Sequence, residues 1–475
     1  MKRLAAAGLL AGTMLAAPAY ALVFTPGDIV VSVEGNGVEG APVGTSTFGD
    51  NQAAPLTLME FTAAGAFVGS EVLPQSNSGV AQTISGEYGS SSEGSLELSG
   101  NGQYLTIMGY GVNAAAFNSN PQNFGPAGNT ALGQSSSAEA PRVVALINAS
   151  GGVNSTTALT NVFNGNNPRS VFTENGTSFY VSGQGTSGDN TGGVFFATLG
   201  SHTATSITGA DAGSGASQDT RFVTVVNGQL VVSVDSKDGS NNRDFIGTLG
   251  SAGALPTTVA NGGNGPTMLA GFGNNGGTGR ITITKGTTNG VNAKNDVVNL
   301  SPENYFFANS TTLYVADSGD PKNTSEQNVS GGSPLGDGGL QKWSLVGGTW
   351  ELDYTLSAGL DLVPNTDSHG TTGLIGLTGE VVGNEVHLFA TNFTLGDLDQ
   401  TFLYGITDQL TAMTEPTNES FTELAAAPAD SNFKGVAFAP TGFGAVPEPA
   451  TWALMLGGLG FVGGVARRRR QAIAA

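Results

Sequence analysis

The chain has no cysteine at all, so thiol catalysis, thiolate metal sites and redox switching are excluded, and a folded domain must be held by its core. Charge is scarce too, at 11% of residues, and histidine occurs three times, as His202, His369 and His387. A histidine-rich metal centre is therefore not expected. His387 falls in a strand pattern and His202 at a turn, which leaves His369, beside Asp367, as the loop histidine of interest. No Gly-x-Ser-x-Gly elbow and no lysine-bearing phosphate loop is present. Convincing amphipathic helical patterning is missing as well; an Ala-rich stretch around Ala425 is interrupted by proline.

Basic residues are few and unevenly placed. Of 17, six lie at the ends: Lys2, Arg3 and Arg467 to Arg470. The body between them carries 11 basic against 36 acidic residues, near −25, which disfavours nucleic acid and bare anionic membrane as partners. Gly (73) and Pro (20) are abundant among 475 residues, and 39% of residues are apolar. Disordered chains combine low hydrophobicity with many charges. Neither holds here, and turn-rich β structure with a sizeable core is expected.

The two termini read as trafficking signals. Lys2-Arg3 precedes an apolar stretch, Leu4 to Ala17, and Ala19-Tyr20-Ala21 offers the small residues a signal peptidase needs. Residues 1–21 are expected to be a signal peptide cut after Ala21. At the other end, Val446-Pro447-Glu448-Pro449 is followed by seventeen apolar or small residues, Ala450 to Ala466, and then by Arg467, Arg468, Arg469 and Arg470. Such a run just reaches bilayer thickness, and the arginines would hold the end on the cytoplasmic side. This tail, residues 441–475, closely resembles the PEP-CTERM sorting signal of Gram-negative bacteria. The resemblance implies recognition of Pro447, Glu448 and Pro449 by an exosortase, transient anchoring in the inner membrane by a transmembrane helix, and delivery to the cell surface or an exopolysaccharide matrix.

Between the signals, β-branched and aromatic runs recur, separated by Gly, Asn, Asp and Ser clusters. They fall into groups of four: 95–100, 104–110, 142–147 and 156–163; 170–175, 178–183, 193–200 and 203–208; 221–226, 229–234, 244–250 and 256–260; 304–309, 312–317, 340–346 and 350–356; 373–379, 385–392, 401–407 and 420–424. A sixth group is split between the termini, with 433–440 as first strand and 28–33, 56–63 and 71–74 as the others. The pattern predicts an all-β domain over 22–440, a six-bladed β-propeller closed by N- and C-terminal strands in one blade. Leu313 to Gly319 resembles the core of an NHL repeat, a scaffold rather than an activity. A parallel β-helix would need shorter, more regular rungs.

Connections between first and second strands are tight, such as Asn101-Gly102, Asn175-Gly176 and Asn227-Gly228. Those between second and third strands are long and polar: 111–140, 184–192, 235–243, 318–339 and 393–400. So are two connections between units, 261–301 and 357–370. A propeller collects these long connections on one face, which marks that face for function. Residues leading into the first strands should ring the channel mouth there: Glu93, Arg169, Arg221, Glu303, His369 and Asn432, with Asp219 and Asp367 close by. No cofactor is expected. Two oxygen-rich stretches, Asp235–Asp238–Asn241–Asn242–Asp244 and Asp317–Asp320–Asn323, are Ca²⁺ candidates, although neither follows the twelve-residue Ca²⁺ pattern.

Three functions fit. One is an exported surface or matrix protein binding glycan or another protein through the long-loop face. The second is a propeller hydrolase or lyase acting on polysaccharide or a lactone, for which Glu93, Glu303 and His369 would have to converge. The third is a purely structural matrix component. Expected partners are signal peptidase, exosortase, and exopolysaccharide or other surface proteins.

Overall fold

A computed structural model describes residues 22–35, 48–210, 219–238, 241–272, 281–284, 295–298, 300–319, 338–363 and 367–442. The expected signal peptide and the sorting tail from residue 443 onward lie outside the described residues. Among those described, no helix is long and apolar enough to cross a membrane.

The body is all-β and propeller-like. Four separate four-stranded antiparallel sheets follow one another. The first holds Pro168–Phe172, Ser178–Gly183, Gly193–Thr198 and Thr205–Ser206, and the second Thr220–Val226, Gln229–Asp238, Asn241–Leu249 and Thr267–Met268. The third holds Pro302–Asn309, Thr312–Asp317, Gly339–Val346 and Thr349–Leu356, and the fourth Thr371–Val382, Glu385–Thr394, Phe402–Gln409 and Thr422–Ala426. The expectation of six separate units is corrected: the strands assigned to the other two share one nine-stranded sheet. What joins them is Ser85–Glu87, a fully buried strand that pairs with Ala53–Pro55 on one side and Tyr110 on the other. Its sequence, Ser-Gly-Glu, carries no β-branched or aromatic residue, so it shows no strand signal. A ribbon of Ile281–Thr284 and Asn295–Val298 sits within the 261–301 connection.

At the chain's two ends, Ser431–Phe438 pairs antiparallel with Ile29–Gly35, from Ile29 opposite Phe438 to Gly35 opposite Ser431. The approach is close enough that only glycine fits at 435. A Cβ there would lie 2.1 Å from the Leu96 amide nitrogen, and the Gly435 amide donates to the Ser32 hydroxyl at 2.8 Å.

Two further expectations are corrected. The fourth strand of the second sheet is Thr267–Met268 and not 256–260. Pro256 has no N–H to give a ladder, and Ala260 instead donates to Ile207 of the preceding sheet at 2.8 Å. The 235–243 connection is not a long loop. The strands Gln229–Asp238 and Asn241–Leu249 continue pairing until Asp238 faces Asn241.

Apolar side chains fill the spaces between sheets, as the alternation of inward β-branched and aromatic residues demands. The fully buried Trp343 stacks on Phe272 with ring centroids 4.2 Å apart. Between the third and fourth sheets the fully buried Lys342 and Asp408 pair at 2.8 Å, with the Tyr354 hydroxyl donating to Asp408 at 2.7 Å. Tight turns need positive φ, and Asn227 (50°) with Gly228 (74°) supplies it.

Candidate functional site

The inner strands bring three of the six ring residues together. Arg169 leads Pro168–Phe172, Arg221 leads Thr220–Val226, and Glu303 leads Pro302–Asn309. Arg169 pairs with Asp219 and also donates to the Gln184 side chain at 3.1 Å. Arg221 reaches Asp235 at 2.9 Å and Glu303 at 3.4 Å. Asp235 further accepts from the Ser301 hydroxyl at 2.9 Å, and Ser318 hydrogen-bonds Ser301 at 2.9 Å and Glu303 at 3.4 Å. These two arginines and three carboxylates therefore form a mutually compensated network that is largely buried.

Burial sets the electrostatics. Desolvation, with the like charge of Arg221 alongside, lowers Arg169 to about 9. Burial works against the charge of Arg221 too, but Glu303 and Asp235 outweigh it and hold its pKa up. Desolvation lifts Glu303 to about 7 in spite of Arg221. Asp235 is desolvated as well, yet Arg221 and its hydrogen bonds hold it below the usual carboxylate range.

Glu93 belongs to a second buried group. It accepts from the Tyr110 hydroxyl, the Asn167 amide and the Glu87 backbone, and burial raises its pKa. Glu87 accepts from the Gly133 amide. Close by, Glu34 is fully buried, neither of its carboxylate oxygens has a hydrogen bond, and the Lys434 ammonium lies 3.6 Å away. Desolvation lifts Glu34 to about 8, opposed by Lys434 and reinforced by Glu93. Lys434 spends its hydrogen bond on the Ser90 carbonyl.

The remaining ring residues lie apart. His369 is 77% exposed on the rim, with Nδ1 2.7 Å from Asp399. Asn432 is buried and donates to the Asp399 carbonyl at 3.1 Å. Asp367 is exposed. No hydrogen bond or ion pair links Glu93, Glu303 and His369 to one another among the described residues. His387 sits among the exposed carboxylates of Glu380 and Glu385, at 3.7 and 3.6 Å.

The Ca²⁺ candidates fare differently. Asp235 is committed to Arg221 and Ser301. Asp317 accepts from the Ser301 amide at 2.9 Å, Gln341 at 3.0 Å and the Gly319 amide at 2.8 Å. Asp320 and Asn323 lie outside the described residues. No group of three or more His, Asp or Glu among the described residues is arranged to hold a metal.

Sequence reasoning missed Arg142, the pin of the long 111–140 connection. It is fully buried over the Tyr110 ring and donates to the carbonyls of Ser135 (2.9 Å), Ala140 (2.7 Å), Phe163 (2.7 Å) and Asn166 (2.9 Å). With the short helix Ala114–Ser119, capped by Asn113, it packs 111–140 into place. Glu34 and Lys434 were missed as well. Their signal was a charge inside an otherwise apolar strand in a chain with few charges.

The sequence model of the PEP-CTERM protein-sorting motif matches residues 445–470. No curated protein matches the chain. Among solved structures, a hypothetical selenium-binding protein from Sulfolobus tokodaii aligns at 8% identity over 87% of this chain and 94% of its own, with TM-score 0.39. The β-propeller domain of the Trilobed protease from Pyrococcus furiosus aligns at 8% identity over 78% and 93%, with TM-score 0.28. A Trypanosoma rangeli sialidase aligns at 10% identity over 78% and 52%, with TM-score 0.36. None of the three is similar enough to speak to ligand or chemistry. The chain carries a PEP-CTERM protein-sorting motif behind a β-propeller-like body, which marks it as an exported, exosortase-processed cell-surface protein.

Proposed function

We propose that the protein is a surface or extracellular-matrix component whose six-bladed propeller binds glycan or another protein through its long-loop face, without catalysis. The nine-stranded sheet counts as two blades in this reading. Support comes from the inner strands, which touch in a ring: Ser431–Phe438, Glu97–Leu98, Pro168–Phe172, Thr220–Val226, Pro302–Asn309, Thr371–Val382 and back to Ser431–Phe438.

The observation that carries the proposal is where the chain leaves the domain. Thr441 donates its amide to Gly102 in a tight turn at 2.7 Å, and Phe24 donates to Ala149 in another at 2.9 Å. The described chain thus begins and ends at the tight-turn face, the side from which a signal peptide and the sorting tail would extend. While the tail is anchored, the long-loop face points away from the membrane, toward polymer and partners. Seven residues, 443–449, separate Gly442 from the apolar run, a reach of about 25–30 Å over eight Cα–Cα steps, too short to invert the domain.

The compensated charge network argues against catalysis. Glu303 and Glu34 have the raised pKa values a general acid needs, but each faces a buried cation. The cavity among the described residues beside Lys434, bounded by Gly89, Ser91 and Asn392, holds about 10 Å³, about one water.

A single introduced thiol is unique in this chain and tests the proposal. Ser187→Cys lies on the long-loop side and Ser251→Cys in a tight turn, and both positions are exposed. Attaching polyethylene glycol at 187 should abolish retention of the processed protein on its host's exopolysaccharide and surface extract, while attachment at 251 should not. Equal retention of the two conjugates, or release of shortened polysaccharide by the unmodified protein, would overturn the reading.

A further inference from the structure

The channel has two unlike ends. Where the inner strands begin it is filled by the arginine–carboxylate network. Where they end, toward the tight turns, a cavity of about 330 Å³ remains. Its walls include Phe222, Thr224, Tyr305, Phe307 and Leu377, and Asn227 of the Asn-Gly turn lies at its outer end. That volume falls within the range of small-molecule pockets, about 300–1,000 Å³, and mostly apolar walls with a few polar groups are typical of them.

Glu97 is the one charged residue in this lining, and 7% of it is exposed. One of its carboxylate oxygens, Oε2, has no hydrogen bond, and the buried Tyr305 hydroxyl beside it has only the Thr224 backbone N–H as a partner. Leaving a buried acceptor without a donor is costly, so Glu97 Oε2 along this cavity points to a missing partner. No described residue supplies that partner. The inner-strand bases are committed elsewhere: Arg169 and Arg221 to Asp219, Asp235 and Glu303, and Lys434 to Glu34 and Ser90. An anion would find no basic side chain in this lining to pair with.

We propose that this cavity binds a small organic ammonium ion with an apolar body, its nitrogen seated between Glu97 and Tyr305. An ammonium has three donors and no acceptor. One donor meets Glu97 Oε2, a second meets the Tyr305 hydroxyl oxygen, and the faces of Phe222, Tyr305 and Phe307 attract the cation. Burial, partly offset by a hydrogen bond from the Thr224 side chain, raises the Glu97 carboxyl well above its usual range and so favours its protonated form in the empty site. Tyr305 faces it and stays neutral, because burial and the nearby Glu97 raise its own pKa. When the ammonium enters as a cation, the Glu97 O–H bond breaks and its proton goes to solvent, one per ligand, leaving carboxylate and ammonium paired. The inference is independent of what the long-loop face binds.

Calorimetric titration of the processed protein with benzylamine and with its neutral isostere benzyl alcohol tests the site. Benzylamine should bind at least tenfold tighter, and its heat should vary between phosphate and Tris buffers as release of one proton requires. Glu97→Gln should abolish both the preference and the proton release. Thr378→Phe, which fills the cavity and leaves Glu97 in place, should block the amine even if the first variant fails to fold. Equal affinity for amine and alcohol, absence of proton release, or undiminished amine binding by Thr378→Phe would overturn the assignment.

Discussion

Replacing Glu34 with Gln should make the protein more stable at alkaline pH and leave it nearly unchanged at pH 5. In the folded state Glu34 is fully buried, without hydrogen bonds, 3.6 Å from Lys434, and desolvation lifts its pKa from 4.5 to about 8. Because the folded value lies above the unfolded one, the folded state binds this proton more tightly. The resulting stabilisation is fully present below pH 4.5 and is lost as pH rises through about 8. At about 1.36 kcal/mol per pH unit, the whole interval corresponds to about 5 kcal/mol. Glutamine keeps the shape of the protonated acid and cannot ionise, so the variant lacks this loss. Glu87 and Glu93 titrate nearby in both proteins, and the comparison with wild type isolates position 34. Denaturant unfolding of the processed protein at pH 5, 7 and 9 measures it. The two curves should coincide at pH 5 and separate by several kcal/mol at pH 9, with the variant higher. Parallel curves across that range would refute the placement of Glu34 as a buried, poorly compensated acid.

Two further perturbations probe the architecture. Arg142→Met removes the donor shared by four backbone carbonyls. It should cost at least about 1–3 kcal/mol, the penalty of one buried acceptor left unsatisfied, and open protease cleavage within 111–140, as read by mass mapping; an unchanged cleavage map would contradict the pinning role. Deleting Phe433 to Pro440 strips the strand that pairs with Ile29–Gly35 and leaves a buried edge without partners. The cooperative melting transition should vanish for the whole domain, whereas a retained transition would show that closure by both ends is dispensable.

Much of the fold was legible because strand periodicity and Asn-Gly turns are local signals. The runs at 178–183, 229–234, 312–317 and 385–392 all fall within observed strands, and the run at 193–200 overruns its strand, Gly193–Thr198, by two residues. What was not legible depends on tertiary context. Ser85–Glu87 is a strand because two neighbouring edges need a partner, and nothing in Ser-Gly-Glu announces that. Residues 256–260 have a strand-like composition, but Pro256 withholds a donor and Thr267–Met268 takes the edge. The ring was legible as a set of positions but not as a function. Arg169, Arg221 and Glu303 meet, and Asp219 and Asp235 join Glu303 in neutralising the two arginines. Glu93 turns toward Tyr110, and His369 stays on the rim. Spacing fixes where a side chain starts; it does not tell which neighbour it satisfies. The cavity at the opposite end was invisible for the same reason, because Glu97 and Tyr305 are 208 positions apart in sequence.

The most direct test of the central claim is the mass of the C-terminus. In a host with the processing enzyme, the wild-type protein should lose the tail beyond the Pro447-Glu448-Pro449 region and appear at the surface or in the matrix. Replacement of those three residues by Ala-Ala-Ala leaves the apolar run and the four arginines intact. That protein should still insert, because seventeen apolar residues followed by arginines suffice for it. It should retain Ala475 and fractionate with the inner membrane. Identical C-terminal masses for the two proteins would contradict sorting by this motif and leave only an ordinary membrane anchor.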